Sequence, residues 1–231
     1  MNYSELVNAI QSYTENQFPA TFLADGSSVS STSQINRIIE QAEQRIYNSV
    51  QFPSLRKNQT GIVSTSTPYL SAPSDFLSSY SFAVIDSTGR YNYMLNKDVN
   101  FIREAYPSPS TTGLPRFYAL FGPTVTGGVI TNELSFILGP KPDTTYTVEL
   151  HYYYYPQSIT TAGTTWLGDN FDTVLLYGCL IEAYTYMKGA QDIVTLYDTK
   201  YKEALALAKR LGDGMERQDA YRSGQYRQAV T

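Results

Sequence analysis

The chain has 231 residues, 42% of them hydrophobic but only 16% charged, with a formal net charge of −4. That length and apolar content suffice for one large domain, or for a helical body carrying a smaller β module. The acidic balance excludes a protein whose whole surface grips nucleic acid, because such binding needs clustered Lys and Arg; a negative wall that DNA slides past is not excluded.

In chain order, Met1-Asn2-Tyr3-Ser4-Glu5 has neither the basic start nor the apolar core of a signal peptide. Leu6, Val7, Ile10 and Tyr13 predict a short amphipathic helix over residues 3–17. Pro19 and Gly26-Ser27-Ser28 read as a loop. Ser31-Thr32-Ser33 reads as an N-cap. Ile35, Ile38, Ile39, Ala42, Ile46 and Val50 then recur at spacings of 3 and 4, predicting a helix over 33–51 that Phe52-Pro53 ends. From residue 54 short β-branched and aromatic runs alternate with Pro and Gly. Strands are expected at 61–65, 79–86, 91–95, 117–121, 129–138 and 145–155, with a hairpin turn at Asp86-Ser87-Thr88-Gly89. A short helix over 97–106, capped by Asn96 or Asp98, interrupts them. Helices return with Asp169 as cap and Asp172 in the first turn, break at Gly189, and resume from Asp192 to Leu211 as an antiparallel partner.

The expected fold is α+β. N- and C-terminal helices form a bundle, an antiparallel β module (a sandwich or small barrel) is inserted between them, and an extended C-terminal tail follows. The expected divisions are 1–53, 54–165, 166–212 and 213–231.

Few residues invite chemistry. His151 is the single histidine and Cys179 the single cysteine, so no usual zinc site and no intrachain disulfide framework is expected. One buried-looking thiol fits a reducing compartment. Neither a Gly-x-Ser-x-Gly elbow nor a Walker-type phosphate loop is present. Asp169 with Asp172, and Asp143 with Glu149, are the carboxylate pairs, and helix capping accounts for the first. The expectation is a non-enzyme without cofactor or metal. No apolar run approaches the roughly 18 residues of a membrane span, so no membrane partner is expected.

Two features point to interfaces. Twenty-one tyrosines stand against one tryptophan; a flat ring with a hydroxyl suits interfaces and half-buried strand positions alike. Tyr152, Tyr153, Tyr154 and Tyr155 run consecutively, placing two rings on each face of a strand, one face for the core and one for a subunit or tail interface. The C-terminal stretch contains Arg217, Tyr221, Arg222, Tyr226 and Arg227, with Tyr-Arg occurring twice. Tyr and Arg are enriched at binding hot spots, so this stretch is expected to dock on a partner.

Several stretches together resemble the head-to-tail adaptors of tailed bacteriophages. They are Ile35-Asn36-Arg37-Ile38-Ile39-Glu40-Gln41-Ala42-Glu43, Tyr69-Leu70-Ser71-Ala72-Pro73-Ser74-Asp75-Phe76-Leu77 with its Pro-x-Asp-Phe turn, Gly113-Leu114-Pro115-Arg116-Phe117-Tyr118, the helix from Phe171 to Met187, and the Arg-containing tail. The resemblance implies a virion protein of the neck, assembled in the host cytoplasm. It implies a ring of neighbouring subunits, usually a dodecamer matching the portal protein, and tail or nozzle proteins below it. DNA would pass through without sequence-specific binding. With the Tyr-Arg residues, it implies that the tail binds the portal. The competing reading is a soluble glycan-binding β module braced by helices.

Overall fold

The computed structural model describes residues 1–126, 129–132 and 134–217. In chain order its elements are α1 (Tyr3–Thr14), β1 (Thr21–Phe22), β2 (Ser28–Val29), α2 (Ser31–Ser49), β3 (Arg56–Val63), β4 (Tyr69–Ser71), β5 (Ser78–Ile85), β6 (Tyr91–Tyr93), β7 (Leu95–Asn96), α3 (Val99–Ala105), β8 (Phe117–Phe121), β9 (Thr124–Thr126), β10 (Val129–Asn132), β11 (Ser135–Gly139), β12 (Tyr146–Tyr153), α4 (Ile159–Ala162), α5 (Trp166–Asn170), α6 (Asp172–Tyr186) and α7 (Gln191–Arg217). The fold is α+β. Two compact units divide the chain, one built from residues 1–55 with the chain from Tyr155 onward, the other from Arg56–Tyr154.

The helical unit is centred on α6, which packs against α1, α2 and α7. Leu6 and Ile10 of α1, Ile35, Ile39, Ala42 and Ile46 of α2, and Leu175, Cys179, Leu180 and Ala183 of α6 are buried. These are the residues a 3.6-residue period places on one stripe. Asn2 and Glu5 form a reciprocal capping box on α1, Asn2 Oδ1 accepting Glu5 N–H at 2.9 Å and Glu5 Oε2 accepting Asn2 N–H at 3.0 Å. Ser30, one residue before the expected cap, closes α2 by accepting Ser33 N–H at 3.1 Å. Between α6 and α7, Gly189 N–H donates to Tyr184 O at 2.8 Å. A Cβ on Gly189 would meet the Tyr184 ring at 2.6 Å, so the tight turn needs glycine there.

Three helical expectations are corrected. Asp169 does not cap the late helix: Thr165 caps α5 by accepting Gly168 N–H at 3.1 Å, and α6 starts after Phe171 with no side-chain cap. The short helices α4 and α5 were not anticipated. Residues 213–217, expected in an extended tail, continue α7 through Gly212 and Gly214.

The β unit is a sandwich of two four-stranded sheets, β3-β12-β5-β6 and β4-β11-β8-β7; pairing is antiparallel except between β7 and β8. β3 begins five residues before the expected start because it pairs with β12 over its whole length, from Arg56 opposite Tyr153 to Val63 opposite Tyr146. The expected strand over 129–138 is two strands, β10 in a hairpin with β9 and β11 in the sandwich. Inward-facing Phe76, Phe82, Tyr118, Phe136, Val148, Leu150 and Tyr152 form the shared core. Phe136 sits at its middle, with ring centroids 5.2 Å from Phe76, 5.2 Å from Phe82 and 5.9 Å from Tyr118.

Candidate interaction surface

The outer faces of the two sheets differ. On β4-β11-β8-β7 the outward residues Ala119 and Ile137 are buried beneath α3, which Asp98 caps by accepting Asn100 N–H at 2.8 Å. Ile102 seals the contact, with Val99, Tyr106, Phe117 and Phe121 around it. Gly139 makes the close approach possible, since a Cβ there would meet Ile102 at 2.9 Å and Tyr106 at 3.0 Å.

On β3-β12-β5-β6, among the described residues, no helix of the β unit covers the outer face. The register sets Ile62, Thr147, Ile85 and Tyr91 in one row and Thr60, Glu149, Ala83 and Tyr93 in the next. Ile62 is 69% exposed, Tyr93 68% and Tyr91 49%. An antiparallel sheet with one wet face ordinarily alternates apolar-in with polar-out. Here five of the eight residues in those two rows are aromatic or aliphatic, Ala83 among them buried, and Thr60, Thr147 and Glu149 are the polar ones. Further along, Tyr153, Tyr80 and Arg56 stack: the Arg56 guanidinium lies 4.5 Å from the Tyr80 ring centre and 5.6 Å from that of Tyr153. His151 meets the edge of Tyr80 at 5.8 Å. The single histidine is thus part of a packed aromatic row.

The four-tyrosine run is split by the fold. Tyr152 is fully buried in the sandwich and offers nothing to a neighbour, which removes it from the expected interface set. Its hydroxyl donates to Asp75 at 2.7 Å, with Gln59 Oε1 3.2 Å away. Asp75 also accepts from Lys57 Nζ at 2.8 Å. Burial works against the Asp75 charge, but the bonds from Lys57 and Tyr152 outweigh it and hold the carboxyl below its usual range. The Pro-x-Asp-Phe turn is therefore structural: Asp75 fastens it to β3 and β12 while Phe76 enters the core. Tyr153 points outward from β12, and the strand ends there. The Tyr154 ring carries Lys57 Nζ at 5.2 Å. Tyr155 belongs to the helical unit, its hydroxyl donating to Asn48 Oδ1 at 2.5 Å.

The remaining candidates separate as well. Cys179 is wholly buried in α6, and burial pushes its thiol well above the usual range, so it is inert. Among the described residues no cluster of three His, Cys, Asp or Glu side chains is arranged to hold a metal, and no helix is long and apolar enough to cross a membrane. Arg217 closes α7; Tyr221, Arg222, Tyr226 and Arg227 lie outside the described residues. Ile62, Tyr91 and Tyr93 were absent from the sequence-based candidates. The alternation Tyr91-Asn92-Tyr93 carried a signal, but the exposed row appears only once β3, β12, β5 and β6 are in register.

No curated protein matches the chain. A family model described as SU10 adaptor protein matches residues 1–228. With nearly the whole chain under that match, the protein belongs to the SU10 adaptor protein family, a family of phage head-tail adaptors.

Proposed function

We propose that the chain is one copy of a ring in the neck of the virion, seated between portal and tail, through which DNA passes and on which tail components dock. The observation that carries this reading is the match of residues 1–228 to a phage adaptor family. Charge distribution supports it. The described helical unit holds thirteen acidic against eight basic residues, whereas the β unit holds seven of each. Helices with surplus negative charge suit a wall that DNA passes without sticking. The uncovered face of β3-β12-β5-β6, with Tyr153 at its end, suits contact with a neighbouring subunit or a tail component. Tyr221, Arg222, Tyr226 and Arg227 suit the portal contact, because an Arg fork binds carboxylate bidentately while the adjacent ring packs beside it.

The test mixes purified protein with purified portal rings and measures bound copies by native mass spectrometry. Wild type should decorate the portal as a complete ring, of twelve copies if it matches a dodecameric portal. Arg222→Ala with Arg227→Ala should strip occupancy, Arg→Lys at both should weaken it less, and the free protein should remain folded in both. Unchanged occupancy in the double Ala variant would refute the portal role of the segment.

A further inference from the structure

Along α2 a groove opens between the helix and the segment running from Tyr155 to Ser158. Glu40 and Glu43 lie on its helical side, and Tyr47, Tyr155 and Pro156 line the rest. Glu43 is 2% exposed. Its carboxylate accepts Ile159 N–H at 3.0 Å, and that of Glu40 accepts the Thr160 hydroxyl at 3.2 Å. Neither is ion-paired with a lysine or arginine among the described residues. Burial holds Glu43 above the usual carboxylate range, against hydrogen bonds from Ser158 and Ile159, and the nearby Glu40 charge adds to the rise. Tyr155 is held beside them by its bond to Asn48 and by the Tyr47 ring at 6.5 Å. The groove thus joins two carboxylates and an anchored aromatic surface, with no ion-paired cation on them among the described residues.

The same chain carries a segment of complementary charge. Residues 218–231 hold two arginines, Arg222 and Arg227, against one acid, Asp219, whereas the described helical unit has a surplus of acids. They follow directly on α7 of the acidic unit. Arg222 lies five and Arg227 ten residues beyond Arg217, a reach of up to roughly 17 Å and roughly 33 Å when extended. We propose that the groove receives an arginine of this C-terminal segment, Arg222 or Arg227, with its guanidinium against the Tyr155 ring and its N–H groups on Glu40 and Glu43. Guanidinium is the cation suited to such a place: it is weakly hydrated, stacks on aromatic faces, and makes charge-assisted bonds to carboxylate. The tyrosine before each arginine adds a ring that packs on Pro156. The β unit already uses the same pairing where Arg56 lies over Tyr80. This docking goes beyond the portal reading, and its test contains no portal, so either can fail alone.

Full-length protein carrying Arg222→Gln and Arg227→Gln serves as acceptor, so that its own segment does not compete. The probe is a fluorescein-labelled peptide of residues 218–231, followed by anisotropy. Binding should saturate and weaken as salt rises. Affinity should fall about tenfold in a Glu40→Gln acceptor, and as much for a peptide with both arginines changed to Gln. Glu40 is exposed, so Glu40→Gln keeps the fold; Glu43→Gln should also weaken binding, with a melting curve to show that it remains folded. No saturable binding, equal affinity for the Glu40→Gln acceptor, or loss of binding on Tyr93→Ser in the β unit instead would overturn the proposal.

Discussion

The sheet β4-β11-β8-β7 and the sheet β3-β12-β5-β6 close on the same aromatic core, yet Ile137 on the outside of the first is 5% exposed while Ile62 on the outside of the second is 69% exposed. The first is covered within its own unit by α3, anchored through Ile102 and admitted by Gly139. The second presents Ile62, Tyr91 and Tyr93 exposed, with no helix of its own unit over them among the described residues. Folding alone explains the first arrangement. The second makes sense in a protein whose outer surface is completed by assembly, because a row of large apolar side chains on a wet face contributes little to the stability of a free chain.

The largest expected effect falls on the covered sheet. Ile137→Ala removes a side chain packed under α3 and should cost about 2–4 kcal/mol, read from denaturant unfolding. A cost as small as that of the matching change on the open sheet would erase the contrast between the faces. Gly139→Ala should come next, at about 1–3 kcal/mol, because the new methyl must displace Ile102 or Tyr106. Hydrogen exchange should then show α3 opening more readily while β3 and β12 keep their protection.

Asp75→Asn tests what ties the open sheet to the turn beneath it, with an expected loss of about 1–2 kcal/mol at pH 7. Asp75 has its carboxyl lowered in the folded state. Its contribution is therefore present above the ordinary carboxylate range and disappears as pH falls through the lowered value. Wild type and Asp75→Asn should converge in acid; a gap that persists below about pH 2 would mean the charge is not the cause.

The smallest effect on the free protein belongs to Ile62→Ser with Tyr93→Ser. Both side chains are exposed, so stability should change by about 0.5 kcal/mol or less. A loss near that of Ile137→Ala would show that the open face already packs in the free chain.

The same contrast explains what could be read from the sequence. The stripe of Ile35, Ile38, Ile39, Ala42 and Ile46 gave α2 directly, because a buried helix face writes its period into the chain. β3 was legible only at its end: Arg56-Lys57-Asn58-Gln59-Thr60 is polar, and its strand conformation comes from pairing with β12 rather than from local preference. Gly212 and Gly214 marked an end that α7 passes, since one glycine costs a helix only about 1 kcal/mol. The tyrosine run looked like one strand, but β12 stops at Tyr153, and Tyr152 is spent inside the sandwich. The open face left only the alternation Tyr91-Asn92-Tyr93 as a trace, because Ile62, Tyr91 and Tyr93 become neighbours in one surface through register across four strands.

The most direct test of the account is the number of adaptor copies bound per portal ring, measured by native mass spectrometry or cryo-electron microscopy for wild type and for Ile62→Ser with Tyr93→Ser. The predicted result is a complete ring for wild type and partial, irregular occupancy for the variant, with both free proteins melting at the same temperature. A variant that builds the same complete ring and still accepts tail components would contradict the assignment of the open sheet to assembly, and wild type that fails to bind the portal would contradict the adaptor role itself.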